Sequence, residues 1–159
     1  SRNKEQKNTL FNKISKHFHA ELKGKTFAIW GLSFKPNTDD MRDAPSRVLM
    51  EALWAAGAKV QAYDPEAMEE AQRLYGSHDH LILCGTKEAA LKNTDALIIV
   101  TEWQNFRAPD FDLIKEKLTE PTIFDGRNIY EPRRMRAKGF TYYSVGRPSP
   151  LESSYLASN

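Results

Sequence analysis

The sequence of 159 residues contains a single cysteine, Cys84, and this scarcity excludes several kinds of site. An internal disulfide, a cysteine zinc site and an iron–sulfur cluster all need more than one thiol. Cys84 follows apolar residues 81–83 and has no histidine or basic residue beside it, which favours a buried, unreactive thiol over a nucleophile. A lone cysteine also favours the cytosol as the compartment.

Long apolar runs and a strong net charge are absent too. No run approaches the ~18 apolar residues of a membrane-spanning helix. The net charge is only +2 and the charges are interspersed, so neither nucleic acid nor a membrane is expected as a partner. The histidines form two His-x-His pairs, at 17–19 and 78–80, one in a predicted helix and one in a predicted loop. Solvated surface positions are favoured for them, and we expect no metal site.

Strand and helix patterns alternate along the chain. An apolar stripe predicts a first helix over 4–22, ended by Gly24. The remaining elements are predicted as strands at 25–30, 59–63, 80–83, 97–100, 122–124 and 140–144, and as helices at 45–56, 66–75, 86–91, 111–118 and 131–138. This order predicts an α/β fold: a Rossmann-like, open, mostly parallel sheet with helices on both faces, preceded by an N-terminal helix.

Three polar loops follow predicted strands, at 31–46, 100–107 and 124–128. Ligands of open α/β sheets bind outside the carboxyl ends of the strands. The first loop carries Lys35 near its start and Arg42 near its end, a layout that suits two phosphate groups. In the third, Gly126 would let the backbone approach a ligand or take an unusual turn, and Arg127 adds a five-donor guanidinium.

Simpler interpretations of the two loop cations remain open. Lys35 could be a solvated lysine, and Arg42 could pair with Asp39, Asp40 or Asp43.

Other polar residues also have simpler interpretations. Asp64 ends the second strand, where dinucleotide-binding folds hold a ribose hydroxyl. Residues 31–36 lack the G-x-G-x-x-G fingerprint, however, so a turn-forming Asp-Pro is favoured. Glu102 and Trp103 could simply anchor a helix start. No catalytic triad, activated cysteine or metal cluster stands out, so these residues suit binding of a phosphorylated ligand rather than its conversion.

The runs 31–46, 100–107 and 124–128 resemble the C-terminal-domain signature of the UDP-glucose 6-dehydrogenases, within the UDP-glucose/GDP-mannose dehydrogenase family. Asn3 with residues 6–7 looks like the end of that family's central helix. The resemblance covers roughly residues 3 to 147, in order and without large gaps. It implies the oxidation of UDP-glucose to UDP-glucuronate with two NAD⁺ and one water, through an aldehyde and an enzyme-bound thioester.

The resemblance also implies roles for individual residues. Phe34, Lys35 and Arg127 match the positions that contact the UDP-sugar, and Arg42 matches the arginine that reaches the NAD pyrophosphate. Asp43 stands where glutamate is commoner, which is a conservative departure. The catalytic cysteine, lysine and aspartate of the family belong to other domains, so no catalytic residue is expected in this chain and Cys84 inherits no such role.

The same resemblance predicts the domain organisation and partners. Residues 1–23 would be the end of the central connecting helix, 24–147 the UDP-sugar-binding domain, and 148–159 a flexible tail. The NAD-binding and central domains would be the missing partners, the full enzyme would be a homodimer, and this piece alone would be inactive. The alternatives are a non-catalytic nucleotide-sugar-binding module, or a dehydrogenase of another nucleotide sugar such as UDP-N-acetylmannosamine or GDP-mannose.

Overall fold

The computed structural model describes residues 2–146, with side chains from residue 9 onward. Its strands are β1 (Thr26–Trp30), β2 (Lys59–Tyr63), β3 (Leu81–Leu83), β4 (Ala96–Ile99), β5 (Thr122–Asp125) and β6 (Thr141–Ser144). Its helices are α1 (Arg2–His17), α2 (Pro45–Ala55), α3 (Met68–Tyr75), α4 (Phe111–Lys117) and α5 (Pro132–Ala137). The predicted tail lies outside the described residues.

The six strands form one sheet in the order β3-β2-β1-β4-β5-β6, and every neighbouring pair is parallel. This confirms the predicted Rossmann-like sheet. The chain moves outward from β1 in one direction and from β4 in the other. The crevice between the ends of β1 and β4 is therefore the switch point at which such folds bind ligands.

Alternate residues of each strand face opposite sides of the sheet, and both sides are covered. Phe27 and Ile29 of β1 belong to one buried cluster, with Leu49 of α2 and Ala71 of α3. Trp30 faces the other way. Its cluster includes Ile114 of α4 and Met135 of α5. Burial on both sides explains why β4 is a continuous apolar run.

Helix α1 belongs to this core. Leu10 and Ile14 of this helix, and Leu22 beyond its end, are at most 9% exposed and join the same cluster as β1 and α2. Helices α4 and α5, in the connections after β4 and β5, pack on the other side of the sheet from α2 and α3. On the side of α2 and α3, the part of the sheet near β5 is covered by α1.

The first helix ends at His17, so its predicted end at residue 22 is wrong. The amides of His19 and Ala20 donate to the carbonyls of Lys16 and Ser15, and both residues have left-handed backbone. This is a Schellman ending, which closes the helix without glycine. Leu22 continues the apolar pattern because the chain after the turn still packs on the core.

Two short segments also differ from the prediction. The predicted helix at 86–91 is a single 3-10 turn, Ala89–Leu91, and a second such turn, Gln104–Phe106, was not predicted. Such brief turns bury too few residues for a clear apolar period. The other element ends agree to within two residues. No helix in the described part of the chain is long and apolar enough to cross a membrane.

The expectation of solvated histidines holds for exposed His19 but is wrong for the other three, which are partly buried. The Nδ1 atom of His17 lies 2.8 Å from the Tyr143 hydroxyl. The ring of His78 stacks on Trp54 with 4.0 Å between centroids. Residues 9–146 contain no group of histidine, cysteine and carboxylate side chains that could hold a metal.

Burial gives His17 a pH-dependent effect on stability. Desolvation lowers its pKa below the usual 6.5, outweighing the opposite influence of Glu120, while His19 lowers the pKa further. Below pH 6.5 the unfolded chain binds a proton that the folded chain resists. The free energy of unfolding should therefore fall as the pH falls from 6.5 to the folded-state pKa, and then level off.

Thermal unfolding between pH 7.5 and pH 5 measures this effect. We expect His17→Phe, which retains an aromatic ring, to lose less stability on acidification than the unmodified chain. His19→Gln is the comparison variant: it removes only the smaller influence of a neighbouring charge on the His17 pKa, so it should reduce the pH dependence less than His17→Phe does. Equal slopes for the unmodified chain and His17→Phe would contradict the assignment.

Candidate functional site

The loop after β1 begins with a glycine that the fold requires. Gly31 has φ of 100°, and its amide donates to the Tyr63 carbonyl over 2.8 Å. A Cβ atom at this position would lie 2.5 Å from the Cβ atom of Thr101 and 2.6 Å from its amide nitrogen. The chain segments leaving β1 and β4 therefore touch each other at the switch point.

The buried carboxylate of Asp64 holds the start of this loop. Its Oδ2 atom accepts hydrogen bonds from the amides of Leu32 and Ser33, over 2.7 and 3.0 Å, and from Trp103 Nε1 over 3.2 Å. Its Oδ1 atom accepts the amides of residues 66–67 over 2.8 Å. The predicted turn role of Asp64 is confirmed, and its oxygens are engaged in protein contacts rather than directed at a ribose.

This arrangement differs from a dinucleotide-binding turn. In such turns, backbone N–H groups after the first strand point at a pyrophosphate. Here the corresponding amides of Leu32 and Ser33 donate to the Asp64 carboxylate, which lies where the pyrophosphate would bind in such a turn. The missing glycine fingerprint and the hydrogen bonding agree in disfavouring NAD at this turn.

The middle of the loop closes on itself and presents Phe34 and Lys35 outward. The Phe34 amide donates to the Asp40 carbonyl over 2.8 Å, while buried Met41 ties the loop to the core. Phe34 is 51% exposed, an unusual position for a large apolar side chain. The Lys35 ammonium lies 5.8 Å from the centroid of the Phe34 ring. The loop thus exposes one aromatic ring and one cation side by side.

Arg42 forms an ion pair with Asp40, one of the three partners that the sequence left open. Its Nε and Nη2 atoms lie 3.1 and 2.9 Å from the two carboxylate oxygens. Hydrogen bonds from the Arg42 side chain and backbone, with the charge of Lys35, lower the pKa of Asp40 to about 2. The Arg42 side chain is 89% exposed, so its guanidinium lies at the protein surface.

The loop after β5 is organised by a second buried carboxylate, Asp125. Its Oδ1 atom accepts the Arg127 amide over 3.0 Å, and Oδ2 accepts the Ile129 amide over 2.8 Å. The Tyr142 hydroxyl also donates to Oδ2, over 2.6 Å. These bonds set the backbone from which the Arg127 side chain projects.

Of the two roles that the sequence allowed for Gly126, the unusual turn is wrong, since the left-handed residue of this loop is Asn128, with φ of 56°. A Cβ atom on Gly126 would lie 2.9 Å from the Ile99 carbonyl oxygen and 3.0 Å from Leu10. The close packing of β4 and α1 around this position accounts for the glycine.

Arg127 forms an ion pair with Glu102 that the sequence analysis missed. Its Nε atom donates to Glu102 Oε2 over 2.6 Å, and its Nη2 atom contacts the same oxygen. The simpler interpretation left open for Glu102 and Trp103, that they only anchor a helix start, is wrong, because their side chains form hydrogen bonds with Arg127 and Asp64. Both residues precede a 3-10 turn, and neither caps it with a side-chain hydrogen bond.

The predicted site residues belong to loops at one edge of the sheet. Lys35 follows β1 and Arg127 follows β5, and the segment after β4 contacts both loops. Arg42 lies further along the first loop, close to the start of α2. Cys84 is buried after β3, where desolvation raises the pKa of its thiol, as expected for an unreactive cysteine.

Comparison with known sequences decides the family. The sequence profile described as "UDP-glucose/GDP-mannose dehydrogenase family, UDP binding domain" matches residues 28–132. The chain is 44% identical over 151 residues to the UDP-glucose 6-dehydrogenase of Pseudomonas aeruginosa and 43% identical over 148 residues to that of Rhizobium meliloti. The chain belongs to the UDP-glucose/GDP-mannose dehydrogenase family.

These relatives of the UDP-glucose/GDP-mannose dehydrogenase family are longer than the chain. The two alignments cover 93% and 92% of the chain but 33% of each relative. Among solved structures, a UDP-glucose dehydrogenase from the archaeon Pyrobaculum islandicum is similar, with a TM-score of 0.74 and 26% identity. That match covers 91% of this chain and 30% of the archaeal one. The chain thus spans about a third of the length of the proteins it matches.

Proposed function

We propose that the chain is the UDP-sugar-binding domain of an NAD-dependent dehydrogenase that oxidises UDP-glucose to UDP-glucuronate. The observation that carries the proposal is the set of outward-facing cations on the loops after β1 and β5, beside the switch point, in a member of this family. Two successive oxidations of a C6 alcohol to an acid would consume two NAD⁺ and one water. The catalytic groups and most of the NAD site would lie in other domains, so residues 1–159 alone would be inactive.

On the substrate side, Phe34, Lys35 and Arg127 would contact the UDP-sugar. An ammonium is a compact charge that can approach either phosphate, whereas a guanidinium can bind two phosphate oxygens together. Lys35 forms no ion pair with any residue from 9 to 146, so its charge is free to meet an anionic ligand. The exposed ring of Phe34 would pack against the ligand beside it.

On the cofactor side, Arg42 would reach the NAD pyrophosphate across the cleft. Bound NAD would supply a hydride acceptor, and this chain would contribute only that one contact. The exposed guanidinium is compatible with the role, provided that it exchanges Asp40 for the pyrophosphate. The engagement of the Leu32 and Ser33 amides by Asp64 supports placing the rest of the NAD site elsewhere.

The remaining parts of the proposal concern the intact enzyme. Residues 1–23 would continue from a central helical region, and the enzyme would work as a homodimer in the cytosol. Domain closure over the two ligands would exclude water during hydride transfer.

Kinetics of the dehydrogenase that carries this domain would test the ligand assignments. Lys35→Ala should raise the KM for UDP-glucose roughly 10- to 150-fold, the equivalent of about 1.5–3 kcal/mol for one charged hydrogen bond. Arg42→Ala should instead raise the KM for NAD and leave that for UDP-glucose nearly unchanged. A rise in a different KM for each variant would separate the two sites.

Lys59→Ala provides a matched control, because Lys59 is an exposed lysine at the start of β2, away from the carboxyl edge. It should leave both KM values unchanged. An unaltered UDP-glucose KM in Lys35→Ala would contradict the substrate role of Lys35. Preferential oxidation of UDP-N-acetylmannosamine would overturn the choice of sugar, and no oxidation of any nucleotide sugar would favour the non-catalytic module.

A further inference from the structure

Glu102 lies between two residues whose side chains are fixed by buried hydrogen bonds. The Thr101 hydroxyl donates to the Ser33 carbonyl over 2.7 Å, and the Trp103 indole donates to Asp64 over 3.2 Å. Both neighbours of Glu102 are at most 7% exposed. The backbone that carries Glu102 is therefore held against the ends of β1 and β2.

From this fixed position, Glu102 reaches the loop after β5. One carboxylate oxygen, Oε2, receives both Nε and Nη2 of Arg127. The Glu102 side chain is 22% exposed and that of Arg127 is 45% exposed, so the carboxylate is the more enclosed partner. Among the described residues, none accepts a hydrogen bond from Nη1 of Arg127, which leaves that end of the guanidinium for a ligand.

We propose that Glu102 is a positioning residue that orients Arg127 toward the diphosphate of the substrate. The inference rests on the proposed substrate contact of Arg127. A free arginine side chain has many rotamers, and binding a ligand would require one of them to be selected. A carboxylate that fixes the guanidinium in advance reduces this ordering cost and so strengthens binding.

The negative charge of Glu102 also opposes an anionic ligand, but this effect is the smaller one. Glu102 binds the Nε edge of the guanidinium, whereas the ligand would meet Nη1 on the other side. Both side chains are partly exposed, so water and salt screen the repulsion. The length of the side chain at position 102 should therefore matter more than its charge.

Two substitutions in the dehydrogenase separate length from charge. Glu102→Gln keeps the length and an acceptor oxygen but loses the charge, and should change the UDP-glucose KM by about threefold or less. Glu102→Asp keeps the charge but shortens the reach, and should raise that KM about tenfold, the equivalent of losing one hydrogen bond to a charged group. In both variants, kcat and the KM for NAD should stay close to the original values.

A double-substitution cycle shows whether Glu102 acts through Arg127. Glu102→Asp should have no further effect on the UDP-glucose KM once Arg127 is alanine. An equal effect in both backgrounds would overturn the positioning role, as would a Glu102→Gln variant as impaired as Glu102→Asp. Glu116→Ala, at an exposed position of α4, is the control and should leave the KM unchanged.

The cycle also keeps the two proposals apart. If Arg127→Ala leaves the UDP-glucose KM unchanged, the substrate contact itself is wrong. If Arg127→Ala raises that KM while Glu102→Asp does not, only the positioning role of Glu102 is wrong.

Discussion

Alanine at position 31 should destabilise the domain by about 3–5 kcal/mol, combining the cost of a left-handed backbone with that of overpacking. The new Cβ atom would lie 2.5–2.6 Å from atoms of Thr101, and one of these is the backbone amide, which cannot move aside as a flexible side chain could. Moving the segments after β1 and β4 apart would also strain the hydrogen bond from Thr101 to Ser33. A loss of this size is a large part of the 5–15 kcal/mol typical of a domain.

Thermal unfolding would measure the effect of Gly31→Ala, with a decrease in Tm of about 10 °C or more expected. Gly85→Ala is the matched control, because a Cβ atom at Gly85 meets no atom within 4 Å. That variant should unfold within about 0.5 kcal/mol of the unmodified chain. If the two variants were equally stable, the close contact between the segments after β1 and β4 would be wrong.

Replacing Asp64 by asparagine should cost on the order of 4 kcal/mol, since several buried donors would lose their acceptor. Both oxygens of Asp64 receive N–H groups, one from the loop after β1 and the other from residues 66–67. The amide group of asparagine must therefore point its NH₂ at donors in either orientation. No rotation of the side chain restores the hydrogen bonds.

Asp110→Asn is the matched control for Asp64→Asn. Asp110 is exposed and accepts one hydrogen bond at the start of α4, from the Leu113 amide. Asparagine caps helices as well as aspartate does, so this change should alter the free energy of unfolding by less than about 0.5 kcal/mol. Denaturant unfolding compares the two variants. An Asp64→Asn chain as stable as the Asp110→Asn chain would contradict the hydrogen bonds assigned to Asp64.

The general fold could be predicted because short-range sequence patterns mark the main helices and strands. The apolar run of β4 and the Pro45 start of α2 depend on short-range patterns, and both were located to within one residue. The end of α1 was misplaced because Leu22 keeps the apolar spacing beyond a turn that contains no glycine. Local periodicity cannot reveal that the chain has left the helix while still packing on the same core.

The candidate site was predictable only in part. The rule that ligands bind at the carboxyl ends of strands led to the loops that carry Lys35 and Arg127. The contact of Arg127 with Glu102 joins loops from two strands, 25 positions apart, and depends on the strand order. Several charged residues compete for each such pairing in the sequence, and only the folded sheet selects one.

Helix α1 also limits how this protein can bend. Leu10 packs against Gly126, and Ile14 and Leu22 lie within the core, so the helix from Leu10 onward must travel with the sheet as one rigid body. A hinge that moved this unit relative to any preceding domain could not lie at residues 10–24 without breaking the core. The pivot would have to lie ahead of Leu10.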